Sequence, residues 1–322
     1  MLHNIGIDLG GTNIAVGLVR EDNRILSQRS APTKAGRSPE EILHHAAQLA
    51  RETASDANIE FSTIHSIGFV STGIANQKTR RLEFSANLFW DEADVGGILT
   101  EETGKPIFLD NDANGAALGE HVAGAAKDYN ISLMLTIGTG IGGGLVIHDR
   151  VFRGFNYAGM EIGHMVIERD GRPCHCGRRG CYERYASASG LILTAEESMR
   201  DIPSSLLWTL CEHEVKKLTG RMVFDAADQG DPTAVRVLDT FIKDLSCGVV
   251  SLVNIFQPEI LVIGGGPSAQ GDRIFEPLRT ALANEAYSRQ SPRNTKVVGA
   301  LLGNDAGIIG AANLWRETHE DE

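Results

Sequence analysis

The 322-residue chain is long enough to bury a sizeable core and to form two lobes, and its 42% hydrophobic content is that of a globular protein. A net charge of −12 and a pI near 5.3 argue against nucleic acid or an anionic membrane surface as the main partner, because both reward basic patches. The chain leads directly into a strand-like run without a charged leader, and no apolar stretch is long enough to span a bilayer. A cytoplasmic protein acting on a small molecule is therefore expected.

Asn4 to Leu9 reads as a strand that stops at Gly10-Gly11-Thr12-Asn13, and Ile14 to Val19 reads as a second. A polar turn at Glu21-Asp22-Asn23 leads into a third strand from Ile25. Ser38 as N-cap, Pro39 at the first helical position and Ile42, Ala46, Leu49 and Ala50 at helical spacing predict a helix over Ser38 to Ala57. Ile64 to Val70 is a further strand, ending in Ser71-Thr72-Gly73. Pro106 to Leu109 is another, followed by Asp110-Asn111-Asp112-Ala113-Asn114 and a helix rich in small residues. A polar cluster where a strand ends and a helix opens is a usual ligand position in α/β sheets. Asp112 at such a place reads equally as a functional carboxylate or as a helix cap, and Asn111 and Asn114 as turn residues.

Ile131 to Ile137 repeats the opening pattern: a strand, a turn over Gly138 to Gly144, and a second strand from Leu145 to His148. Gly138, Gly140 and Gly143 satisfy the dinucleotide fingerprint GxGxxG, but a strand follows where that fingerprint needs a helix, and the dinucleotide reading is rejected. What remains is two glycine and threonine hairpins. Their backbone N–H groups, with the hydroxyls of Thr12 and Thr139, suit a phosphate chain. Asp231 to Phe256 predicts a long helix with a core-facing stripe from Leu238 to Phe256. Glu259 to Ile263 is a strand running into Gly264-Gly265-Gly266, a turn where backbone can pass close to a flat base. Thr295 to Leu301 reads as a last strand, and Asn304 to Thr318 as a closing helix.

The stretch from Glu161 to Glu183 carries His164, Cys174, Cys176 and Cys181, one imidazole and three thiolates. That set suits tetrahedral Zn²⁺ and completes its coordination, so the metal is expected to be structural. His175 is an alternative fourth ligand. The Cys-x-Cys spacing and the odd number of cysteines disfavour a redox pair or a disulfide. Cys211 and Cys247 read as buried or partly buried thiols. Glu161 and Glu183 flank the metal ligands, so fixing the metal also fixes where both acids point.

The runs DLGGTN, LDNDAN, GTGIGGG, ExGH, CHCGRRGCYE and VIGGG, in this order along nearly the whole chain, resemble the ROK family (repressors, open reading frames and sugar kinases). Within it they look most like bacterial glucokinases. The resemblance implies an α/β, two-lobed actin/hexokinase-like (ribonuclease H-like) fold with ATP and sugar in the interlobe cleft. It implies a small lobe from residues 1–113 and 305–322, and a large lobe from 114–304 with the zinc loop. It implies Asp112 as general base, and Gly73, Asn87, Asn111, Asp112, Glu161, His164 and Glu183 as sugar-binding positions. Asp8 would hold Mg²⁺ indirectly. Gly10, Gly11, Thr12, Asn13, Gly138, Thr139 and Gly140 would meet the nucleotide phosphates, and Gly264, Gly265 and Gly266 would line the adenosine side.

The implied activity is ATP-dependent phosphorylation of a hexose at the 6-hydroxyl, glucose first. Kinases for mannose, N-acetylmannosamine or N-acetylglucosamine are the alternatives, and a non-catalytic sugar sensor is a third. A repressor of the family carries an N-terminal helix-turn-helix, and with the first phosphate strand in the opening residues none is expected here. The implied partners are sugar and nucleotide, with neither nucleic acid nor membrane, in a dimer or tetramer.

Overall fold

A computed structural model describes residues 1–317. The chain opens as an antiparallel meander of β1 (His3–Leu9), β2 (Asn13–Arg20) and β3 (Ile25–Pro32), followed by α1 (Pro39–Asp56) and β4 (Ser66–Ser71). Three short strands come next, β5 (Ile74–Asn76), β6 (Arg81–Ser85) and β7 (Trp90–Ala93), then α2 (Val95–Thr103), β8 (Ile107–Asn111) and α3 (Asp112–Ala123). After β9 (Ile131–Ile137), β10 (Ile141–Ile147) and β11 (Arg150–Val151) the chain is mainly helical. Its helices are α4 (Glu183–Ala186), α5 (Ala188–Met199), α6 (Leu206–Leu210), α7 (Gly220–Asp228) and α8 (Pro232–Phe256). It ends through β12 (Ile260–Gly265), α9 (Asp272–Glu285), β13 (Lys296–Gly299) and α10 (Asp305–Asn313).

The first sheet has the order β3-β2-β1-β4-β8, with β1, β4 and β8 parallel. Asp8 pairs with Val70 and Val70 with Asp110, so the three parallel strands end level with one another. Helix α1 forms where the capping signals predict it. The Ser38 hydroxyl accepts from the Glu41 N–H and the Glu41 carboxylate accepts from the Ser38 N–H, while Ile42, Ala46, Leu49 and Ala50 are buried. In α8, capped by Asp231, the expected stripe buries Leu238, Phe241, Leu245, Val249, Leu252 and Val253.

The chain divides into two compact units. Met1–Met134, Gly144–Met160 and the chain from Ala300 onward make the first, and Leu135–Gly143 with Glu161–Gly299 the second. The second five-stranded sheet runs β11-β10-β9-β12-β13, with β12 and β13 parallel. The division differs from the expected boundary at residue 113 because α3 packs on α10 and so stays with the first sheet. Three local expectations also change. Strand β10 begins at Ile141 rather than Leu145, since Gly142 to Gly144 offer no side chain against extended pairing and Gly144 lies on Ala117 of α3. Helix α10 gives way at Leu314 to a 3₁₀ turn through Glu317, and Thr318 lies outside the described residues. Cys247 is exposed rather than buried, because it lies off the apolar stripe of α8.

The seat of α10 determines the first unit. Every residue of this helix from Ala306 to Asn313 is buried, and the helix lies against α3, β1 and β4 at backbone contact. A Cβ on Gly68 of β4 would lie 1.7 Å from the Ala311 carbonyl oxygen, and one on Gly310 would lie 1.7 Å from that of Gly115 in α3. Neither gap admits a methyl group. Gly68→Ala should therefore cost about 1–3 kcal/mol, the usual range for overpacking, and lower the urea midpoint with an unchanged slope. A midpoint equal to that of the parent would show that α10 is not seated this closely.

Candidate functional site

In the first unit the level ends of β1 and β8 bring carboxylates together. Asp8 and Asp112 are both half-buried. Burial, and then the charge of Asp112, pushes the Asp8 carboxyl up from its ordinary 3.8 to about 7. Gly307 of α10 lies directly over it, where a Cβ would be 2.1 Å from Asp8 Oδ2. Burial likewise holds the Asp112 carboxyl above its ordinary value, against the opposing hydrogen bond from the Ala113 N–H.

The cap question at Asp112 resolves onto its neighbour. Asn111 is the N-cap of α3, its Oδ1 accepting from the N–H groups of Ala113 at 2.8 Å and Asn114 at 3.4 Å. Its Nδ2 donates to the Gly73 carbonyl at 3.1 Å, tying the turn after β4 to the start of the helix. Asp112 is the first helical residue, so its carboxylate is not the cap. The turn between β1 and β2 is closed by the Gly10 N–H donating to the Asn13 carbonyl at 3.0 Å. Thr33 holds it from behind, through its N–H to the Thr12 carbonyl and its hydroxyl to the Gly10 carbonyl, both at 2.7 Å. Thr12 and Asn13 stay exposed, and Asn87 packs beside Gly11.

In the second unit His164, Cys174, Cys176 and Cys181 place one donor atom each within 4.8 Å of all the others. Cys176 Sγ and Cys181 Sγ are 3.6 Å apart, as are Cys174 Sγ and His164 Nδ1. A tetrahedral ion with metal–sulfur bonds of about 2.3 Å and metal–nitrogen bonds of about 2.05 Å needs edges of roughly 3.8 and 3.6 Å, which these two separations match. The same separation is far too long for a disulfide, and all cysteines are free. Burial pushes the Cys174 thiol up to about 12 and raises that of Cys181, so a nearby cation is what would keep them as thiolates. His175 is exposed and outside the cluster, which leaves His164 as the fourth donor.

Short backbone bridges build this loop, Val166 opposite Cys181 and Pro173 opposite Arg179, with the Cys174 N–H donating to the Arg178 carbonyl at 2.9 Å. Glu183 connects the cluster to the second hairpin turn. Its Oε1 accepts from the Cys174 thiol at 3.1 Å, and its Oε2 lies 2.5 Å from where a Cβ on Gly140 would be. The turn itself is held by the Gly138 N–H to the Gly140 carbonyl at 3.0 Å and by the Ala188 N–H to the Gly138 carbonyl at 2.9 Å; Thr139 is exposed. Gly265, at φ +90°, passes so close to Ile137 that a Cβ would sit 2.1 Å from its carbonyl oxygen. The turn over Gly264, Gly265 and Gly266 therefore lies beside the turn at Gly138. Glu161 is exposed and immediately precedes the 3₁₀ turn that carries His164.

The sequence marks Asp110 only as part of a polar run and gives no sign of Arg153. Asp110 is buried next to Asn111, and the guanidinium of Arg153 pairs with it. No local pattern joins residues so far apart in the chain.

The pH dependence of stability follows from Asp8. A carboxyl raised on folding favours its neutral form, so its contribution is fully present below the unfolded value near 3.8 and is lost as pH rises through about 7. Without added divalent ions, Asp8→Asn should gain stability relative to the parent by roughly 1–4 kcal/mol between pH 4 and pH 8, read from urea midpoints. An equal difference at both pH values would contradict the burial of this charge.

A model of the ROK family matches residues 4–318. The glucokinase of Thermotoga maritima is 37% identical over 315 residues, covering 97% of each chain. A ROK family glucokinase from Streptomyces griseus, solved in complex with glucose and AMPPNP, superposes with a TM-score of 0.81 at 30% identity, covering 97% of this chain and 98% of that one. The ROK hexokinase of Thermus thermophilus gives a TM-score of 0.82 at 31% identity, covering 99% and 100%.

Proposed function

The chain belongs to the ROK family, and on that premise we propose that it transfers the γ-phosphoryl group of ATP to the 6-hydroxyl of glucose. The observation that carries the mechanism is the state of Asp112. Its carboxylate is half-buried just past the end of β8, held above its ordinary value by burial, and relieved of helix capping by Asn111. A carboxylate so placed and free of the cap suits general-base catalysis. As the sugar O6 forms its bond to phosphorus and the bond to the ADP oxygen breaks, Asp112 takes the hydroxyl proton and passes it to solvent.

Phosphoryl transfer asks for placement and charge neutralisation more than covalent work from the protein. In this reading Gly10, Gly11, Thr12, Asn13, Gly138, Thr139 and Gly140 offer N–H and hydroxyl donors to the phosphates. Gly264, Gly265 and Gly266 take the adenosine side. Asp8 would hold Mg²⁺ indirectly, and the ion would supply charge neutralisation. Gly73, Asn87, Asn111, Glu161, His164 and Glu183 hold sugar hydroxyls in this reading. His164 would serve twice, one ring nitrogen holding the metal and the other donating to the sugar. The same reading makes the protein a cytoplasmic homo-oligomer.

Asp112→Asn tests the base directly. Hexose binding should survive while kcat falls by roughly 10²–10⁴-fold, and because Asn111 keeps the cap, thermal stability should not drop. Near-normal kcat at saturating sugar and ATP would remove Asp112 from the role.

The metal is proposed to be zinc, one per chain, because three thiolates and one imidazole select it among abundant divalent ions. Cys176→Ser should lower metal content, stability and hexose affinity together. Native protein free of zinc, or a variant unchanged in all three, would contradict the assignment.

A further inference from the structure

We infer that Arg153 is a positioning residue for Asp112, acting through Asp110. The inference rests on Asp112 being the base. Three charged groups far apart in sequence meet inside the first unit: side-chain exposure is 12% for Arg153, 2% for Asp110 and 7% for Glu317. Arg153 donates through Nε at 2.7 Å and Nη2 at 2.6 Å to Asp110 Oδ2, pairs through Nη2 with Glu317, and donates through Nη1 to the Val151 carbonyl at 3.1 Å. Glu317 is fixed in turn, its Oε1 accepting from the Val151 N–H at 3.0 Å.

The other oxygen of Asp110 serves the turn that carries the base. Its Oδ1 accepts from the Asn111 N–H at 2.7 Å and from Asn114 Nδ2 at 2.9 Å. These two asparagines bracket Asp112, and the Asn111 side chain caps the helix on which Asp112 is the first residue. The guanidinium thus locks one side of Asp110, Asp110 locks the turn, and the turn aims the Asp112 carboxylate. A buried ion triad is no efficient source of stability, since apolar replacements often serve as well. Arg153 reaches its acceptors from Nε, Nη1 and Nη2, nitrogens spread across one plane, so lysine keeps the charge but loses the geometry.

The test is a double-mutant cycle on the full chain, with kcat per folded molecule measured at saturating glucose and ATP for the parent, Arg153→Lys, Asp112→Asn and the pair. Arg153→Lys alone should lower kcat by roughly 10–100-fold with the sugar KM within about threefold, because aim is lost and sugar contacts are not. In the Asp112→Asn background the same change should cost less than about threefold, since there is no base left to aim. An equal loss in both backgrounds, or an unchanged kcat in folded Arg153→Lys, would overturn the inference while leaving Asp112 in place. A near-normal kcat for Asp112→Asn alone would overturn the base assignment, and the inference with it. If Arg153→Lys does not fold, Glu317→Gln frees the far side of the guanidinium and is read through the same cycle with the same outcomes.

Discussion

Backbone contact between α10 and the elements around it is the constraint on which the first unit depends. A helix usually stands off a sheet by the length of its side chains. Here Gly68 in β4 and Gly310 in α10 remove those side chains, and the helix start, with Gly307, comes down onto Asp8. That contact has an electrostatic consequence. Taking Asp8 away from water raises its pKa, and the neighbouring Asp112 raises it further, so the unit is built around carboxylates that cost stability when ionised. A protein retains such an arrangement where a cation or a reacting proton uses it.

The second unit solves a similar placement problem with sulfur ligands. The loop from Glu161 to Glu183 has few apolar residues to pack and one short helical turn, so four donors on one ion would fix its shape. Because Glu183 touches both Cys174 and the Gly140 turn, its position would follow from the geometry of a metal held by the cluster. Loss of such an ion would therefore loosen Glu183 as well as the loop.

Much of this was legible in the chain. The capping box before α1, the apolar stripe of α8, the glycine turns after β1, β9 and β12 and the spacing of the cysteines are all local signals, carried within about 25 residues each. The long-range parts were not. The three-stranded sheet of β5, β6 and β7 uses strands of three to five residues with mixed polarity, and Phe84 in it is exposed, so no alternation marks it. Asn111 rather than Asp112 caps α3, a choice made by one residue of register that Asn and Asp propensities cannot separate. The Arg153 triad joins positions 43 and 164 residues apart, and only the folded chain brings them together. Nor did the sequence indicate that α3 belongs with α10, since that depends on glycine pairs meeting across two helices.

The central claim is that this chain phosphorylates glucose with ATP, and the most direct measurement is coupled ADP release across glucose, mannose, N-acetylmannosamine and N-acetylglucosamine, with the product identified by NMR. The account predicts ADP formation with glucose, phosphate on O6 of the product, and a kcat/KM for glucose at least about tenfold above the acetylated sugars, since an acetamido group needs room and hydrogen bonds that a hydroxyl site does not supply. No ADP release with glucose, or a higher kcat/KM for an N-acetylhexosamine, would contradict it.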